Sequence, residues 1–312
     1  MAKKKKKSGA NVALTYIITF ILFFAALGGG VYFLLGEYLG LDTIFNKTSS
    51  NSQGNISSNT TGLISGYVPD ERLSMTILFI GGEGKEGAAD SFMLCRYLPQ
   101  TAEIILVPLP WQMTATVGTK TDTLRGFSET GVQSVVGAVE NAVGISVERY
   151  VRYESEVFED FVDTLGSVVF DVPYDISYKV KEGVFINIKS GKQLLDGEAI
   201  SKLSEYAEYA DGEDFRYKLQ GLLITELLNT GLQPRLTSIL ELTYNNIVNT
   251  TNTNLSATDF TSREDALVHT IEYGVNPAQF IPPSGEYNDN FTEFKPSSTF
   301  KSNIVDKFKL KD

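Results

Sequence analysis

Two stretches of this chain carry side chains able to do chemistry. Asp90 opens the run Asp90-Ser-Phe-Met-Leu-Cys-Arg-Tyr-Leu98, shortly after the glycine loop Gly81-Gly82-Glu83-Gly84. The glycines let backbone approach backbone, or a ligand. Trp111, the sole tryptophan, ends the neighbouring run Ile104-Ile-Leu-Val107 after Pro108-Leu-Pro110. Its ring is suited to stacking on sugar or lipid, and equally to packing at a rim. If these runs are strands of one sheet, both residues lie at strand ends, where a ligand is expected, although Asp90 could also only cap a turn. Farther on, Glu205, Glu208, Asp211, Glu213 and Asp214 crowd one segment. Hard cations take several oxygens, so this cluster reads either as a cation site or as a solvated acidic face.

Composition narrows the chemistry. Cys95 is the only cysteine and falls inside an apolar run, so there is no internal disulfide and no cysteine-rich zinc site. His269 is the only histidine, which nearly excludes a histidine triad or a multi-histidine metal site. The formal charge of -11 hides an asymmetry. Lys3 to Lys7 supply five of the 27 basic side chains, leaving 22 basic against 38 acidic beyond them. Such a domain repels phosphate polymers in general, so nucleic acid is not an expected partner.

The elements that must position Asp90 and Trp111 follow from periodicity. Met75-Thr-Ile-Leu-Phe-Ile80 is continuously apolar, as in a strand covered on both faces, and Pro99 to Glu103 reads as a turn between two further strands. Valines 132, 135, 136, 139 and 143 form a helical stripe, and Val147 to Tyr153 alternates as a strand. A helix from Ser155 to Leu165, a strand at Val168 to Phe170, and helices around Ile200, around Leu219 to Leu227 and around Leu236 to Ile247 complete the pattern. Alternating strands and helices imply an α/β/α sandwich with a central mixed sheet. Residues 274–312 read as an irregular strand and a last short helix.

Upstream, Val12 to Leu35 contains no charged residue over 24 positions, enough at about 1.5 Å per residue to cross the ~30 Å core of a bilayer. The lysines before it are expected to stay cytoplasmic. The expected layout is a basic tail (1–11), a transmembrane helix (12–35), a polar tether (36–72) and an extracytoplasmic domain (73–312). This makes the protein a single-pass protein of the cell membrane, with the lipid bilayer as a partner.

Asp90-Ser-Phe-Met-Leu, Val139-Glu-Asn-Ala-Val-Gly-Ile145, the segment FEDFVDTLGSVVFDVP from Phe158 to Pro173, Ser190-Gly-Lys-Gln-Leu-Leu-Asp-Gly-Glu-Ala199 and Thr253-Asn-Leu-Ser256 occur in an order and spacing that resembles the LytR-CpsA-Psr domain of bacterial cell-envelope proteins. The resemblance covers roughly residues 75–260. It implies transfer of an anionic glycopolymer from a polyprenyl pyrophosphate carrier to peptidoglycan, with arginines and magnesium holding the pyrophosphate and a hydrophobic slot holding the lipid. Fixed cations meet the charge that gathers on a pyrophosphate leaving group as its bond breaks.

Carried over by position, the resemblance makes Asp90 the metal-side or base aspartate. Arg216 and Gln220 match the pattern Gly-Asp-x-x-Arg-x-x-Arg-Gln. Four positions depart from the family pattern: Trp111, Glu205, Ala207 and Leu219 stand where arginines are expected. A charge-assisted hydrogen bond contributes about 1.5 to 3 kcal/mol, so four lost contacts remove ~6 kcal/mol or more of gross pyrophosphate binding. The expectation is therefore a relative that binds a lipid-linked or cell-wall glycan with reduced or lost transfer, through Trp111, Gln220, Arg125 and Lys218. The alternatives are an active transferase with a rearranged site, and a purely structural envelope protein. Lys120, Arg125 and Lys218 could compensate only if the fold turns them inward.

Overall fold

The apolar run from Met75 lacks polar alternation because its strand is hydrogen-bonded at both edges and covered on both faces. In the computed structural model, which describes residues 67–309 apart from 83, 85, 182 and 183, this run is β1 (Met75–Gly82). It pairs antiparallel with β2 (Ala89–Leu98), and a 3-10 turn at Pro99–Thr101, closed by Ala102 at φ 52°, turns the chain into β3 (Glu103–Leu109). The ribbon β4 (Thr114–Val117) and β5 (Lys120–Thr123) leads into α1 (Leu124–Ser128) and α2 (Val132–Val143). The chain then returns as β6 (Arg149–Glu154), parallel to β1. A parallel return needs a crossover, and α2 supplies it.

Next come α3 (Ser155–Leu165), β7 (Val168–Val172), the hairpin β8 (Ile176–Lys181) and β9 (Val184–Ile188), and β10 (Gly191–Leu195), which pairs with β7. Helices α4 (Gly197–Glu205), α5 (Gly212–Gly231) and α6 (Leu240–Thr250) follow. Then come β11 (Asn252–Thr253), α7 (Ala257–Thr261) and α8 (Glu264–Tyr273). The chain closes with β12 (Ala278–Phe280), the ribbon β13 (Gly285–Tyr287) and β14 (Phe294–Pro296), and α9 (Ser298–Phe308).

The main sheet runs β11-β6-β1-β2-β3-β12, mixed because β1/β6 and β3/β12 are parallel. Alternation along β3 sorts its two faces. Ile105, Val107 and Leu109 join Leu78, Ile80, Val135, Val139 and Ile304 in one core, which places α2 and α9 on that side. Phe280 is the register partner of Leu106 and so faces the other way, and there α5 passes so close that a Cβ on Gly221 would lie 2.8 Å from Cε2 of Phe280. Helices therefore cover both faces, as expected. A second core, built by Val162, Leu165, Leu203, Leu223 and Leu227, lies on the outer side of α5.

The helix expected around Leu219–Leu227 is 20 residues long and begins at Gly212. The helix expected from Leu236 begins at Leu240, after a 3-10 turn opened by Pro234. The ribbons β4–β5 and β8–β9 were not foreseen. β4 and β5 are mostly Thr, Lys and Asp, and β8 and β9 mix buried Ile176 with exposed Phe185, so burial does not follow a simple apolar pattern in either ribbon. Residues 274–312, expected as an irregular strand and a helix, add β12 to the main sheet before ending in α9. The apolar run Val12 to Leu35 and the polar stretch after it lie outside the described residues. Among the described residues no helix is long and apolar enough to cross a membrane.

Two local features make stability predictions. Gly197 starts α4 against α3, and a Cβ there would fall 2.8 Å from Cα of Glu159. Backbone cannot yield as a side-chain tip can, so Gly197→Ala is expected to cost about 1 to 3 kcal/mol, read as a lower denaturation midpoint. The second feature ties β6 to α7. Arg149 donates to both carboxylate oxygens of Asp259 at 2.8 Å, and Asp259 closes a capping box with Ser256. Burial raises the Asp259 pKa, but the bonds from Arg149 and Ser256 outweigh it and hold the carboxyl at about 2. A folded value below the unfolded one stabilises the fold above about pH 4, and that contribution is lost as the pH falls toward 2. Asp259→Asn should therefore lose about 2 kcal/mol at pH 7 and show a shallower acid limb in chemical denaturation followed from pH 7 to pH 3.

Candidate active site

Asp90 lies at the start of β2, at the sheet end where β1 stops. Gly81 is required there by close approach: a Cβ would meet the Tyr153 ring at 2.9 Å. The Tyr153 hydroxyl bonds with Ser91, next to Asp90. The loop ahead of Asp90 is held from beneath by Arg152, whose guanidinium is almost wholly buried and donates to the carbonyls of Gly84 (3.2 Å) and Gly87 (2.9 Å). Burial lowers the Arg152 pKa.

Trp111 follows the end of β3 and is locked to α5. The Tyr217 hydroxyl donates to Oε1 of buried Gln112 at 2.8 Å and accepts from the Trp111 backbone N–H at 3.2 Å. Nε2 of Gln112 donates to Glu213 at 3.3 Å. Arg216, one turn into α5, is buried. It pairs with Glu213 at 3.5 Å, and its Nε donates to the Ser204 carbonyl at 3.4 Å. Gln220 spends its amide on the same carbonyl at 2.8 Å, so it fastens α5 to the end of α4. Arg125, in the first turn of α1, lays its guanidinium over Trp111, 5.5 Å from the ring centroid, and its backbone N–H donates to the Trp111 carbonyl at 3.2 Å.

These pieces meet electrostatically at Asp90. Asp90 is exposed, yet the protein atoms packed around its carboxyl still raise its pKa by desolvation. Arg216 and Arg125 pull the value back, and Glu205 pushes it up again. The site thus holds one carboxylate with a raised pKa, two guanidiniums that act on it, and an indole face under one of them. Such a set can bind a doubly charged anion and accept a proton beside it.

The other expected positions divide. Lys218 is exposed, on the side of α5 away from buried Arg216 and Gln220. Leu219 belongs to the second core, and Ala207 is exposed. Glu205 faces the site, but its carboxylate accepts from Ser155 (3.3 Å), Ser201 (3.1 Å) and Lys202 (3.1 Å). Lys120 is paired with Asp122 at 2.8 Å. The acidic cluster does not converge: Glu208 and Asp211 are exposed, and Asp211 accepts from Tyr174. Among the described residues no three or more His, Cys, Asp or Glu side chains group as a metal site.

Sequence reasoning missed Arg152, Gln112, Tyr217 and Tyr287. Arg152 gave no signal, since in the Val147–Tyr153 alternation it shares a phase with Glu148, where a polar side chain is unremarkable. Tyr287, from β13, buries its hydroxyl with no hydrogen-bond partner, and its charged neighbours are Asp214, Glu213 and Arg216. Nothing in the local sequence marks it.

Residues 40–309 match the LytR_cpsA_psr family. The chain belongs to that family. It is 28% identical over 176 residues to the polyisoprenyl-teichoic acid–peptidoglycan teichoic acid transferase TagV of Bacillus subtilis, a match covering 53% of this chain and 45% of that relative. The matched stretch thus spans less than half the length of TagV. The corresponding transferase TagU of Bacillus licheniformis is 24% identical over 238 residues, covering 74% of each chain. Among solved structures, B. subtilis TagV superposes with a TM-score of 0.60 at 20% identity, over 75% of this chain and 95% of that one. A protein of Eubacterium siraeum reaches 0.70 at 20% identity, over 83% and 98%. At that identity the structures establish the LytR-CpsA-Psr fold. The mixed sheet and the expected family are both as anticipated.

Because Arg125 lowers the Asp90 pKa, Arg125→Gln should shift the carboxyl titration to higher pH. Carboxyl carbon chemical shifts followed from pH 3 to pH 8 check this, and an unmoved midpoint would mean that Arg125 does not act on Asp90.

Proposed function

We propose that this protein is a membrane-anchored, extracytoplasmic LytR-CpsA-Psr transferase that attaches a polyprenyl-pyrophosphate-linked anionic glycopolymer to peptidoglycan through a rearranged cation set. The observation that carries this reading is Arg125: stacked on Trp111, it brings a guanidinium to Asp90 where the family pattern would have placed one at position 111 itself. With Arg216 it supplies two positive charges for a pyrophosphate. The named relatives act between polyisoprenyl-linked teichoic acid and peptidoglycan, which supports the same substrate class. The anchor is the apolar run Val12 to Leu35, behind its lysines.

In the reaction, a peptidoglycan hydroxyl attacks the phosphorus that bears the glycan. A phosphodiester forms, the P–O–P bond breaks and polyprenyl phosphate leaves. Asp90 takes the hydroxyl proton, a role that suits a carboxylate whose pKa desolvation has raised. Arg216 and Arg125 hold the phosphate oxygens on which charge gathers. Buried Gln112 and Tyr217 keep Trp111, and so the platform under Arg125, fixed relative to α5.

Magnesium fits here only in one mode. The Glu205 oxygens accept from Ser155, Ser201 and Lys202, which leaves Asp90, among the described residues that act on one another at the site, as the carboxylate without a side-chain hydrogen bond. One carboxylate together with substrate phosphates is a donor set magnesium accepts. When bound, the ion would add Lewis-acid stabilisation of the phosphoryl oxygens.

A second reading, glycan binding with little transfer, is favoured by Glu205, a negative charge acting on Asp90 where the family pattern has an arginine. One experiment separates the two. The full chain in proteoliposomes is given polyprenyl-pyrophosphate-linked glycopolymer and peptidoglycan, and transfer and retained lipid are both measured by mass spectrometry. Transfer that falls at least about 100-fold in Asp90→Asn is expected. Retained pyrophosphate lipid without transfer supports the second reading, and neither retention nor transfer defeats both.

A further inference from the structure

A cavity of about 360 Å³ opens between the β4–β5 ribbon, α2, and the junction of β14 with α9. None of the residues discussed for the active site lines it. Its polar lining is Thr114, Thr116, Thr121, Asn141, Lys295 and Lys301. Both lysines lack an ion pair among the described residues. Glu286 is the cross-strand neighbour of Lys295 in the β13–β14 register, yet the two form no salt bridge, and the nearby Asp122 is already taken by Lys120 at 2.8 Å. Lys179, Lys192, Lys218 and Lys307 likewise have no salt bridge among the described residues, so what sets Lys295 and Lys301 apart is that both line one cavity. Within residues 295–309, Lys295, Lys301, Lys307 and Lys309 stand against Asp306 alone, itself paired with Lys309 at 3.5 Å, while Glu286 and Glu293 flank Lys295 on the β13–β14 ribbon.

The hydrogen-bonding inventory is equally specific. Thr116 and Thr121 share one bond between their hydroxyls at 2.8 Å, so one hydroxyl proton is left over. Asn141 donates one amide proton to the Gly137 carbonyl at 2.7 Å and keeps a second. Thr114 donates to the Phe294 carbonyl at 3.3 Å, leaving its oxygen free to accept. Two ammonium groups, a hydroxyl donor and an amide donor suit phosphoryl oxygens. The Thr114 oxygen suits a polyol hydroxyl, and Ala142 and Pro296 give the C–H faces of a polyol something to lie on.

We propose that this cavity is a second anion site that takes a phosphodiester unit of a polyol-phosphate or sugar-phosphate polymer, gripped by Lys295 and Lys301. It rests on the reading of the substrate as an anionic glycopolymer, and it assigns to residues 295–301 the task of holding the polymer chain away from the reacting pyrophosphate. A two-point grip of this kind orients a polymer that the acidic remainder of the domain repels.

The test uses the full chain in detergent, titrated with a short glycerol-phosphate oligomer and separately with inorganic phosphate, each followed by calorimetry. The oligomer is expected to bind at least tenfold more tightly than inorganic phosphate. Lys295→Gln together with Lys301→Gln is expected to weaken oligomer binding by at least about tenfold, whereas Lys192→Gln, at an exposed lysine of β10 outside the cavity, leaves it within about twofold. Oligomer binding unchanged in the double lysine variant overturns the assignment. So does binding lost in Arg125→Gln alone, which would place the anion in the active site. Inorganic phosphate binding as well as the oligomer, with the same lysine dependence, makes the cavity a free-phosphate site and overturns the polymer assignment. Lipid retention, measured separately, reports on the active site and not on this cavity, so either reading can fail without the other.

Discussion

Helix α5 is the constraint on which the rest of the domain depends, because it is packed on both sides. One side lies on the sheet, where Gly221 leaves room for Phe280, and the other carries Leu219, Leu223 and Leu227 into the second core. Its first turns send Arg216 toward Asp90 and the Tyr217 hydroxyl to Gln112 and the Trp111 backbone. A polar group buried without a partner costs several kcal/mol, so the Tyr217–Gln112–Glu213 chain fixes the end of β3 relative to the helix. Shape and hydrogen bonding therefore act together, and the active-site groups inherit their positions from a helix held on two faces, with only the stripe Asp214, Lys218, Leu222, Glu226 and Thr230 left to solvent.

Around that frame the charges are placed unevenly. The domain as a whole is acidic, yet its buried or inward-turned cations are put to local use. Arg152 holds the loop before Asp90 by two carbonyls, Arg149 grips the cap of α7, and Arg216 ties the entry of α5 to the end of α4. Arg125 differs from these, because its guanidinium rests on an indole face and not on a carboxylate or a backbone carbonyl. A cation stacked on an aromatic ring keeps its N–H donors free, which is the state a phosphate-binding group needs. An arginine at position 111 would put its charge on β3 directly. This chain reaches a comparable place with two residues from separate elements.

Substitution at family positions is thus a poor guide by itself. Trp111 and Leu219 both replace arginines of the family pattern, but Leu219 is simply core, whereas Trp111 supports another cation. Glu205 keeps its place near Asp90 and reverses its sign, while Ala207 faces solvent. An argument that counts lost arginines treats the four alike, and the fold does not.

The sequence by itself determined the layering, the mixed sheet and the family, and it singled out Asp90, Trp111 and Arg216 as candidates, because buried strands, a helical valine stripe and short motifs are local patterns that burial imposes on neighbouring residues. It also identified residues 12–35 as an apolar span from length and charge alone. Only the tertiary structure decided that Arg125, although exposed, lies over Trp111 and acts on Asp90 while Lys218 points to solvent, that Gln220 serves a helix junction, and that Arg152, Gln112 and Tyr287 belong near the site. Those facts depend on contacts between residues tens to more than a hundred positions apart, such as Tyr217 with Gln112. A long-range contact leaves no periodic trace in the sequence of either partner, since each residue reads locally as an ordinary member of its own helix, strand or loop.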